Sequence, residues 1–306
     1  MNKTIYAGTY TRRLSKGIYR FEFNEGVLSD PKLLCEIRNP KYLCRYKDRL
    51  IAVNDFENGA GVTMIKEDGT ILDSLQFEDQ TSCYVTCRED MVYTANYHEG
   101  SFSVLKLEDD KFRLIKRNLV KDKCGCHQVL LYKDLIMVPC LFLDKILIYD
   151  QELNKVNEIA FPLGSGPRHG LFDKDGRYLY QVSELSNELF KIDMDTFRIV
   201  ASMPILKNRE KNVKGTAAIR MSDDGKFIYI STRFKDVLSV VDAESFELVE
   251  VKDCGGKHPR DFIVIGDHLL CANMESDSIV SFDIKKGALS SVSSELKVPE
   301  AIALCL

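Results

Sequence analysis

The chain has 306 residues, of which 45% are hydrophobic and 29% charged, a composition ordinary for a globular protein. Its formal net charge of −4 is not the basic excess of a nucleic-acid-binding protein, and it has no apolar run of the ~18 residues that a membrane-spanning helix needs. The opening residues, MNKTIYAGTY, lack the apolar segment of a secretion signal. We therefore expect a cytoplasmic protein without nucleic-acid or membrane partners.

Seven apolar runs recur along the chain, each ending near a small or polar residue. They are TIYAGTY, LIAVNDF, MVYTANY, LIMVPCL, YLYQVSE, FIYISTR and LLCANME, which align on Thr9, Asn54, Asn96, Cys140, Ser183, Thr232 and Asn273. These positions are 41 to 49 residues apart, and each run is followed by a turn, a third β-rich run and usually a more polar fourth. Four short strands per unit of about 40–50 residues are typical of a β-propeller blade. Tryptophan is absent, so the chain is not a WD40 array.

The two ends of the chain fit one blade. The chain begins at a second-strand run, TIYAGTY, and ends with VPEAIALCL, which matches a first strand. We predict that residues 299–306 pair beside residues 4–10 and so close the ring. The prediction is an all-β, seven-bladed β-propeller with four antiparallel strands per blade, forming a single domain over residues 1–306. The charged segment 207–214, KNREKNVK, is predicted to be a surface loop.

A hairpin at residues 166–185, GPRHGLFDKDGRYLYQVSEL, is the most informative stretch of the chain. Asp-Lys-Asp-Gly forms its turn, between two β-rich runs. Arg168 and His169 begin the first strand and Glu184 follows the second. Because these ends of an antiparallel pair lie at one edge of the sheet, we expect the three side chains to lie close together.

Other polar residues fall at the corresponding places in other blades, where the loops before strand one and after strand two open on one face. The loops before strand one supply Cys126, His127, Arg168, His169, His258 and Arg260, and those after strand two supply Tyr10, Asn54, Asp55, Asn96, Tyr97, Glu184, Arg233 and Asn273. Arginines, a glutamate and histidines around one opening favour an anionic ligand and acid–base chemistry.

Structural roles compete with functional ones for these residues. An Arg168–Glu184 pair can simply tie neighbouring loops together, and His127 can be a packed core histidine. Strand alternation predicts that Arg168 and His169 do not both face the ligand. At least two of Asn54, Asn96 and Asn273 are expected to form turns instead of binding a ligand.

The ten cysteines form no Cys-x-x-Cys pair, and several lie in apolar β-like runs, where cysteine behaves as a small hydrophobic residue. A zinc site made by Cys124, Cys126 and His127 is an alternative, but its spacing is not a known structural-zinc pattern. We therefore predict reduced, mostly buried thiols, and neither a metal nor another cofactor.

Gly-Pro-Arg-His, followed by Phe, a turn, Tyr-Leu-Tyr and Ser-Glu-Leu, resembles the central motif of the seven-bladed propeller lactonases. That family includes the propeller-type 6-phosphogluconolactonases of bacteria and is similar to the fungal carboxymuconate lactonizing enzyme. The resemblance implies a catalytic set that falls here on His127, Arg168, Glu184 and Arg233. This chain departs from the family at Ser183 and Thr232, where the family commonly has asparagine, and at the Gly-Cys before His127, where it often has an earlier histidine.

The resemblance implies a lactonase that hydrolyses a sugar-acid lactone, such as 6-phosphogluconolactone to 6-phosphogluconate. Glu184 or His127 would activate water, Arg168 would lie near the ester carbonyl, and Arg233 with Arg260 would hold the anionic end. The residues expected to bind substrate are His169, Arg260, Asn96, Tyr10 and Asn273. A lactonizing isomerase of the muconate type and a non-catalytic binding or scaffold propeller are the alternatives. The expected partner is a small anionic lactone, bound by a monomer or weak homodimer.

Overall fold

The computed structural model describes residues 2–207 and 213–306. The predicted surface loop at 207–214 therefore lies largely outside the described residues. Within the described ranges, no helix is both long and apolar enough to cross a membrane.

The described residues form 29 strands and one 3-10 turn. In chain order the first strands are β1 (Lys3–Thr9), β2 (Gly17–Asn24), β3 (Val27–Leu28), β4 (Lys32–Glu36), β5 (Leu43–Tyr46), β6 (Arg49–Phe56), β7 (Gly59–Lys66), β8 (Ile71–Glu78), β9 (Tyr84–Arg88), β10 (Met91–Asn96), β11 (Ser101–Glu108), β12 (Lys111–Leu119), β13 (Leu130–Tyr132) and β14 (Leu135–Cys140), followed by the 3-10 turn Leu141–Leu143. The remaining strands are β15 (Lys145–Tyr149), β16 (Lys155–Ala160), β17 (Pro167–Phe172), β18 (Tyr178–Ser183), β19 (Glu188–Asp193), β20 (Arg198–Pro204), β21 (Thr216–Met221), β22 (Phe227–Thr232), β23 (Val237–Asp242), β24 (Glu247–Asp253), β25 (Pro259–Ile265), β26 (His268–Asn273), β27 (Ser278–Lys285), β28 (Ala288–Lys297) and β29 (Ala301–Cys305).

These strands form seven antiparallel sheets, one per blade, so the predicted seven-bladed propeller is confirmed. Blades 2 to 7 each take four consecutive strands, from β5–β8 to β25–β28. Blade 1 combines β29, β1 and β2 with an outer strand split into β3 and β4. The first strand of each blade lies innermost, which brings the loops that lead into these strands to one mouth of the central channel.

Burial follows the position of a strand within its blade. The second strands are buried almost throughout, as in β18, because both of their faces pack against neighbouring blades. The outer strands alternate or are largely exposed, as in β12. Hydrophobic clusters lie between adjacent blades; Met137 and Ile148 of blade 4, for example, share a cluster with Phe190 of blade 5. The fold is held by blade-to-blade packing, which also fixes the mouth.

The C-terminal strand closes the ring, as predicted. β29 pairs with β1, with Ala7 opposite Leu304 and Gly8 opposite Ala303. The buried carboxylate of Glu300, just before β29, accepts four backbone N–H groups from residues 12–15 at 2.8 to 3.4 Å. These bonds satisfy four main-chain donors of the N-terminal segment with one side chain. The closure therefore joins the two ends of the chain by a strand pair and by this carboxylate.

A second recurring device ties each blade to the next. In blades 4 to 7 an Asp or Asn sits in the turn between the second and third strands with a positive φ of 50° to 56°. Its side chain accepts backbone N–H groups of the loop leading to the following blade. The four residues are Asp144, Asn187, Asp236 and Asp277. Asp and Asn tolerate this left-handed conformation better than most residues, so one side chain serves both the turn and the loop.

All ten cysteines are free thiols. Six of them are buried and four are partly exposed, in line with the sequence-based prediction.

Deleting residues 299–306 removes β29 and Glu300 and leaves β1 as an unpaired edge. We expect the truncated chain to lose its cooperative thermal unfolding transition, measured by circular dichroism and calorimetry. Deleting Leu306 alone, which follows β29 and is exposed, is the matched control and should melt like the full chain. If the longer deletion also melted like the full chain, the ring would not depend on this closure.

Candidate active site

A β-bulge positions Arg168 and His169 where β17 enters the channel. The register shifts between Pro167 and Gly170, so Arg168 and His169 together lie opposite the single residue Val182 of β18. A bulge interrupts the alternation of side chains along a strand. The bulge removes the strict alternation on which the prediction for Arg168 and His169 was based. Both side chains are buried, only 2% and 4% exposed, with Arg168 beside Glu184 and His169 against the rings of Tyr42 and Tyr84.

Asp144 fixes the chain just before this bulge. Its carboxylate accepts the N–H groups of Gly164 and Gly166, each at 2.8 Å. Gly166 has a φ of 68°, and a Cβ there would approach Leu185 Cγ to 2.6 Å. The positive φ and the contact with Leu185 both require glycine at position 166. The anchored loop therefore explains why glycine begins the Gly-Pro-Arg-His motif.

Arg168, Glu184 and Arg233 meet as two guanidiniums around one carboxylate. Arg168 Nε lies 2.9 Å from one oxygen of Glu184, and Arg233 Nη2 lies 2.9 Å from the other. Neither nitrogen is aligned for a hydrogen bond in the described structure, so these contacts are ion pairs. The N–H groups of Arg168 Nε and Arg233 Nη2 can still donate hydrogen bonds to a ligand. Arg168 also donates to Ala217 O, and Arg233 Nε donates to Gly215 O. These carbonyl groups at the start of blade 6 fix the orientation of both guanidinium planes.

The protonation states follow from burial and from these charges. Burial lowers the pKa of Arg168 to about 10, assisted by the positive charge of Arg233, so the residue stays charged at neutral pH. Burial by itself would raise the pKa of Glu184, but the charges of Arg233 and Arg168 together outweigh it and hold that pKa below its ordinary value. Glu184 is therefore an ionised partner of two arginines and a weak base.

Two histidines lie beside this group and are uncharged. Burial, reinforced by the positive charge of Arg168, lowers the pKa of both His127 and His169 well below the ordinary value. Their ring centroids are 5.0 Å apart. His127 Nδ1 lies 3.8 Å from Cys83 Sγ. Both ring nitrogens of His169 are buried without a hydrogen-bond partner in the described structure, which is costly unless a ligand or water supplies one.

Further cations surround the mouth. Arg260 makes no ion pair within residues 2–207 and 213–306, and its guanidinium lies 5.5 Å from the ring centre of Tyr10. Arg12 lies 4.1 Å from the same ring. The charge of Arg260 helps to lower the pKa of His127, Arg168 and Arg233, although burial is the larger cause for each. The mouth thus has more positive than negative charge, as an anion-binding site requires.

Lys41 is a part of the mouth that the sequence-based reasoning missed. Its ammonium donates to Thr81 O at 2.9 Å, and burial lowers its pKa. It lies in the same place in blade 2 as Arg168 in blade 5 and Arg260 in blade 7, each directly after a proline. The repeated Pro-Lys or Pro-Arg pair before strand one was the signal that would have identified it.

A polar cleft of about 360 Å³ adjoins the site on the side of blades 1 to 3. Its walls include Arg12, Arg38, Lys41, Asp55, Gln80 and His98. The side chain of Glu184 is itself 18% exposed. The cleft shares Lys41 with the mouth but is not lined by Arg168, Glu184 or Arg233, so it is the partial exposure of Glu184 that connects the ion-pair group to solvent.

A second layer closes the channel below the mouth. Tyr42, Tyr84, Gln128, His169 and Asp261 each follow a residue of the mouth by one position. Tyr84 contacts the rings of Tyr42 and His169, at centroid distances of 4.6 and 5.7 Å. Arg220 pairs with Asp261 at 2.7 Å. Sequence reasoning missed this layer, because it is built from contacts across the channel between distant blades.

The structure does not bring Asn96 or Asn273 to the charged group. Asn96 donates to Glu78 and to Gln80 O, at the end of β8 and in the loop after it, and accepts from the Glu99 N–H in its own turn. Asn273 donates to Cys254 O in the loop before β25 and is fully buried. Asn96 therefore has the turn-forming role considered from the sequence, and Asn273 holds a loop. The predicted residues that do meet are His127, Arg168, His169, Glu184, Arg233, Arg260 and Tyr10.

Known proteins resemble this chain over its whole length. A 6-phosphogluconolactonase of Bacillus subtilis (strain 168) is 26% identical, with 99% of this chain and 98% of the relative covered. An uncharacterized protein of Lactococcus lactis subsp. cremoris (strain MG1363) is 30% identical, with 98% of each covered. The crystal structure of a Lactobacillus plantarum protein superposes with a TM-score of 0.91 at 27% identity, covering 99% of both chains.

A family model described as "Lactonase, 7-bladed beta-propeller" matches residues 4–306. This match covers every blade, the closing strand and all the charged residues of the mouth. The chain therefore belongs to the seven-bladed β-propeller lactonase family.

Proposed function

We propose that this protein is a lactonase that hydrolyses the lactone of an anionic sugar acid, with 6-phosphogluconolactone as the leading substrate. The observation that carries the proposal is the pair of buried arginines sharing Glu184, beside a third arginine without a carboxylate partner. The surplus positive charge suits an anionic substrate that also develops negative charge on its ester oxygen. The name of the Bacillus subtilis relative supports the choice of substrate.

Arg168 is assigned to the ester carbonyl. Ring opening begins when water attacks the carbonyl carbon and places negative charge on its oxygen. Arg168 is buried, charged and rigidly held by Ala217 O and Glu184, so it requires little reorganisation to stabilise that charge. The C–O bond of the lactone ring then breaks, and the leaving alkoxide takes a proton to become the free hydroxyl.

His127 is a better candidate than Glu184 for the base that activates water. Both oxygens of Glu184 are in ion pairs, and its pKa is held low by two arginines. His127 is neutral, so one ring nitrogen offers a lone pair that is not held in an ion pair, although the burial and the charge of Arg168 that keep it neutral also make it a weak base. Glu184 then orients the two guanidiniums, and His169 supplies a hydrogen bond to the substrate from a ring nitrogen that now has no partner.

The anionic end of the substrate is assigned to Arg233 and Arg260, with Lys41 on the side of the polar cleft. Planar guanidiniums suit a phosphate or carboxylate because they offer paired donors.

A lactonizing isomerase would use the same groups for proton transfer at carbon. A non-catalytic scaffold propeller would show no turnover of any lactone.

The purified protein should release acid from 6-phosphogluconolactone faster than the spontaneous reaction, followed with a pH-stat. Gluconolactone is the matched control, since it lacks the phosphate; it should show a higher KM because the cations at the mouth then have no phosphate to bind. Muconolactone, assayed for interconversion with its open-chain acid, tests the isomerase alternative. Failure to accelerate any sugar-acid lactone would reject the proposed hydrolysis.

Replacing Arg168 with lysine keeps the charge but removes the planar fork. We expect kcat to fall by roughly 10²-fold, as for loss of an oxyanion donor, with little change in KM. Arg220→Lys is the control, because Arg220 is also paired with a carboxylate but lies in the layer below the mouth. Wild-type turnover by a stably folded Arg168→Lys protein would remove Arg168 from the chemistry.

The pH profile tests the base. With His127 as the base, kcat/KM should stay level from neutral pH downward and fall only as pH approaches the lowered pKa of that imidazole, well below about 6.5. Arg260→Gln removes a positive charge that lowers this pKa, so the acid limb should move to higher pH. His127→Asn should reduce the rate by about 10²–10⁴-fold, and its kcat/KM should no longer fall at acid pH. An unchanged profile in His127→Asn would point to Glu184 instead, with Glu184→Gln as the comparison.

A further inference from the structure

Three cysteines of blade 4 converge next to His127, which directly follows Cys126 in the chain. Cys124 and Cys126 lie on the loop before β13, and Cys140 ends β14. The Sγ atoms of Cys124 and Cys126 are 3.6 Å apart, and those of Cys126 and Cys140 are 3.8 Å apart. All three sulfurs lie within 4.8 Å of one another, the one such group of potential metal ligands in the described residues.

The backbone holds these three residues in place. Cys126 and Cys140 are directly opposite each other, and the flanking bonds from His127 N to Pro139 O and from Leu141 N to Gly125 O are both 3.0 Å long. Phe142 N also donates to Cys124 O at 3.0 Å. Gly125, at a φ of 74°, makes the turn between the two cysteines of the loop. The sulfur arrangement is therefore fixed by main-chain bonds and does not depend on mobile side chains.

The spacing of the sulfurs matches the edges of a thiolate metal site. Two sulfurs that each lie about 2.3 Å from one tetrahedral zinc ion are about 3.8 Å apart. The two measured separations, 3.6 and 3.8 Å, agree with that geometry. They are far longer than the ~2.0 Å of a disulfide bond.

The surroundings are apolar. The three cysteines are at most 2% exposed and share a core cluster with Ala95, Phe102 and Val138. Thiolates in such a place need a compensating positive charge. A divalent ion bound by two or three thiolates leaves a net charge of zero or minus one, so the ion itself supplies the compensation.

Blade 7 offers an internal comparison. Pro259 lies opposite Asn273 there as Cys126 lies opposite Cys140 in blade 4, so Lys257, His258 and Pro259 stand where blade 4 has Cys124, Gly125 and Cys126. Met274 N donates to His258 O and Glu275 N to Lys257 O, as Leu141 N and Phe142 N donate in blade 4, and His258 has a φ of 63°. The same backbone frame therefore occurs without cysteine in blade 7 and with three cysteines in blade 4.

We propose that Cys124, Cys126 and Cys140 form a binding site for a soft, thiophilic metal ion of the zinc class. This departs from the sequence-based expectation of no metal and from the alternative that used His127. His127 turns its ring towards Tyr97 and His169, at 5.6 and 5.0 Å, and Cys140 takes the third ligand position. Each thiol that coordinates the ion gives up its proton to solvent, and no electron is transferred.

The test uses the full chain, reduced and stripped of metal, titrated anaerobically with Zn²⁺, Cd²⁺ and Cu⁺ in separate arms. We expect one tightly bound ion per chain, a thiolate-to-metal absorption band with Cd²⁺, and an X-ray absorption shell of three sulfurs at about 2.3 Å with Zn²⁺. If Cu⁺ binds tightly and Zn²⁺ and Cd²⁺ do not, the three cysteines still form a metal site, but its ion is Cu⁺ instead of Zn²⁺. Proton release on Zn²⁺ binding gives a second readout.

Cys126→Ala should weaken binding by more than about 100-fold, the upper range for loss of an outer partner of a metal site. Cys140→Ser is the second variant, because blade 5 carries serine at the aligned Ser183 and tolerates it. Cys254→Ser, a control at a buried cysteine of another blade that lies outside the cluster, should bind like the parent. No tight ion in any arm, binding that survives Cys126→Ala and Cys140→Ser in folded protein, or equal loss in Cys254→Ser would each overturn the proposal.

Discussion

The mouth of this propeller depends on a carboxylate or amide in a left-handed turn of each preceding blade. Asp144 holds the two glycines before Arg168, Asn187 holds Gly215 and Thr216, and Asp236 holds the backbone of His258, two residues before Arg260. In each case a short polar side chain that tolerates positive φ accepts backbone N–H groups of the next blade. The loops that carry the site are thus anchored to a rigid turn in the neighbouring sheet, which gives loop residues the precision of strand residues.

The buried charges of the site do not cancel, because arginines outnumber carboxylates there. Burying two arginines around one carboxylate, with a third arginine nearby, desolvates more positive charge than the protein neutralises. Burial, reinforced by the charge of Arg168, keeps His127 and His169 uncharged, and both ring nitrogens of His169 are buried without hydrogen-bond partners in the described structure. Both departures would be relieved by an anion that accepts hydrogen bonds. Local rules are commonly broken in this way at functional sites.

The repeat of seven β-rich runs was sufficient to predict the blades and the closure by β29, because strand periodicity and turn chemistry are local. It also placed Arg168, Glu184 and Arg233 together, since residues at equivalent repeat positions share one face. The bulge at Arg168 and His169 was not predictable, because it shows only in the pairing with β18. Lys41 and the Tyr42–Tyr84 pair were missed for a related reason: their roles depend on partners across the channel, in blades far apart in sequence.

The position that ends the second strand shows how one repeat site diverges. In blades 1, 2, 3 and 5 a hydroxyl or amide there bonds within its own blade, as Thr9 does to Gly17 O, and in blade 7 Asn273 donates to Cys254 O in the loop before its blade. In blade 4 the residue is Cys140, whose thiol is a weak donor and cannot hold a turn in that way. As in blades 5 and 7, the two backbone N–H groups after this position donate to the loop before strand one, here from Leu141 and Phe142 to Gly125 and Cys124, and in blade 4 the chain then enters a 3-10 turn. A residue freed from holding the turn is available for other chemistry, and it is here that two more sulfurs approach it. Because Cys126 directly precedes His127, whatever fixes this loop also fixes the imidazole at the mouth.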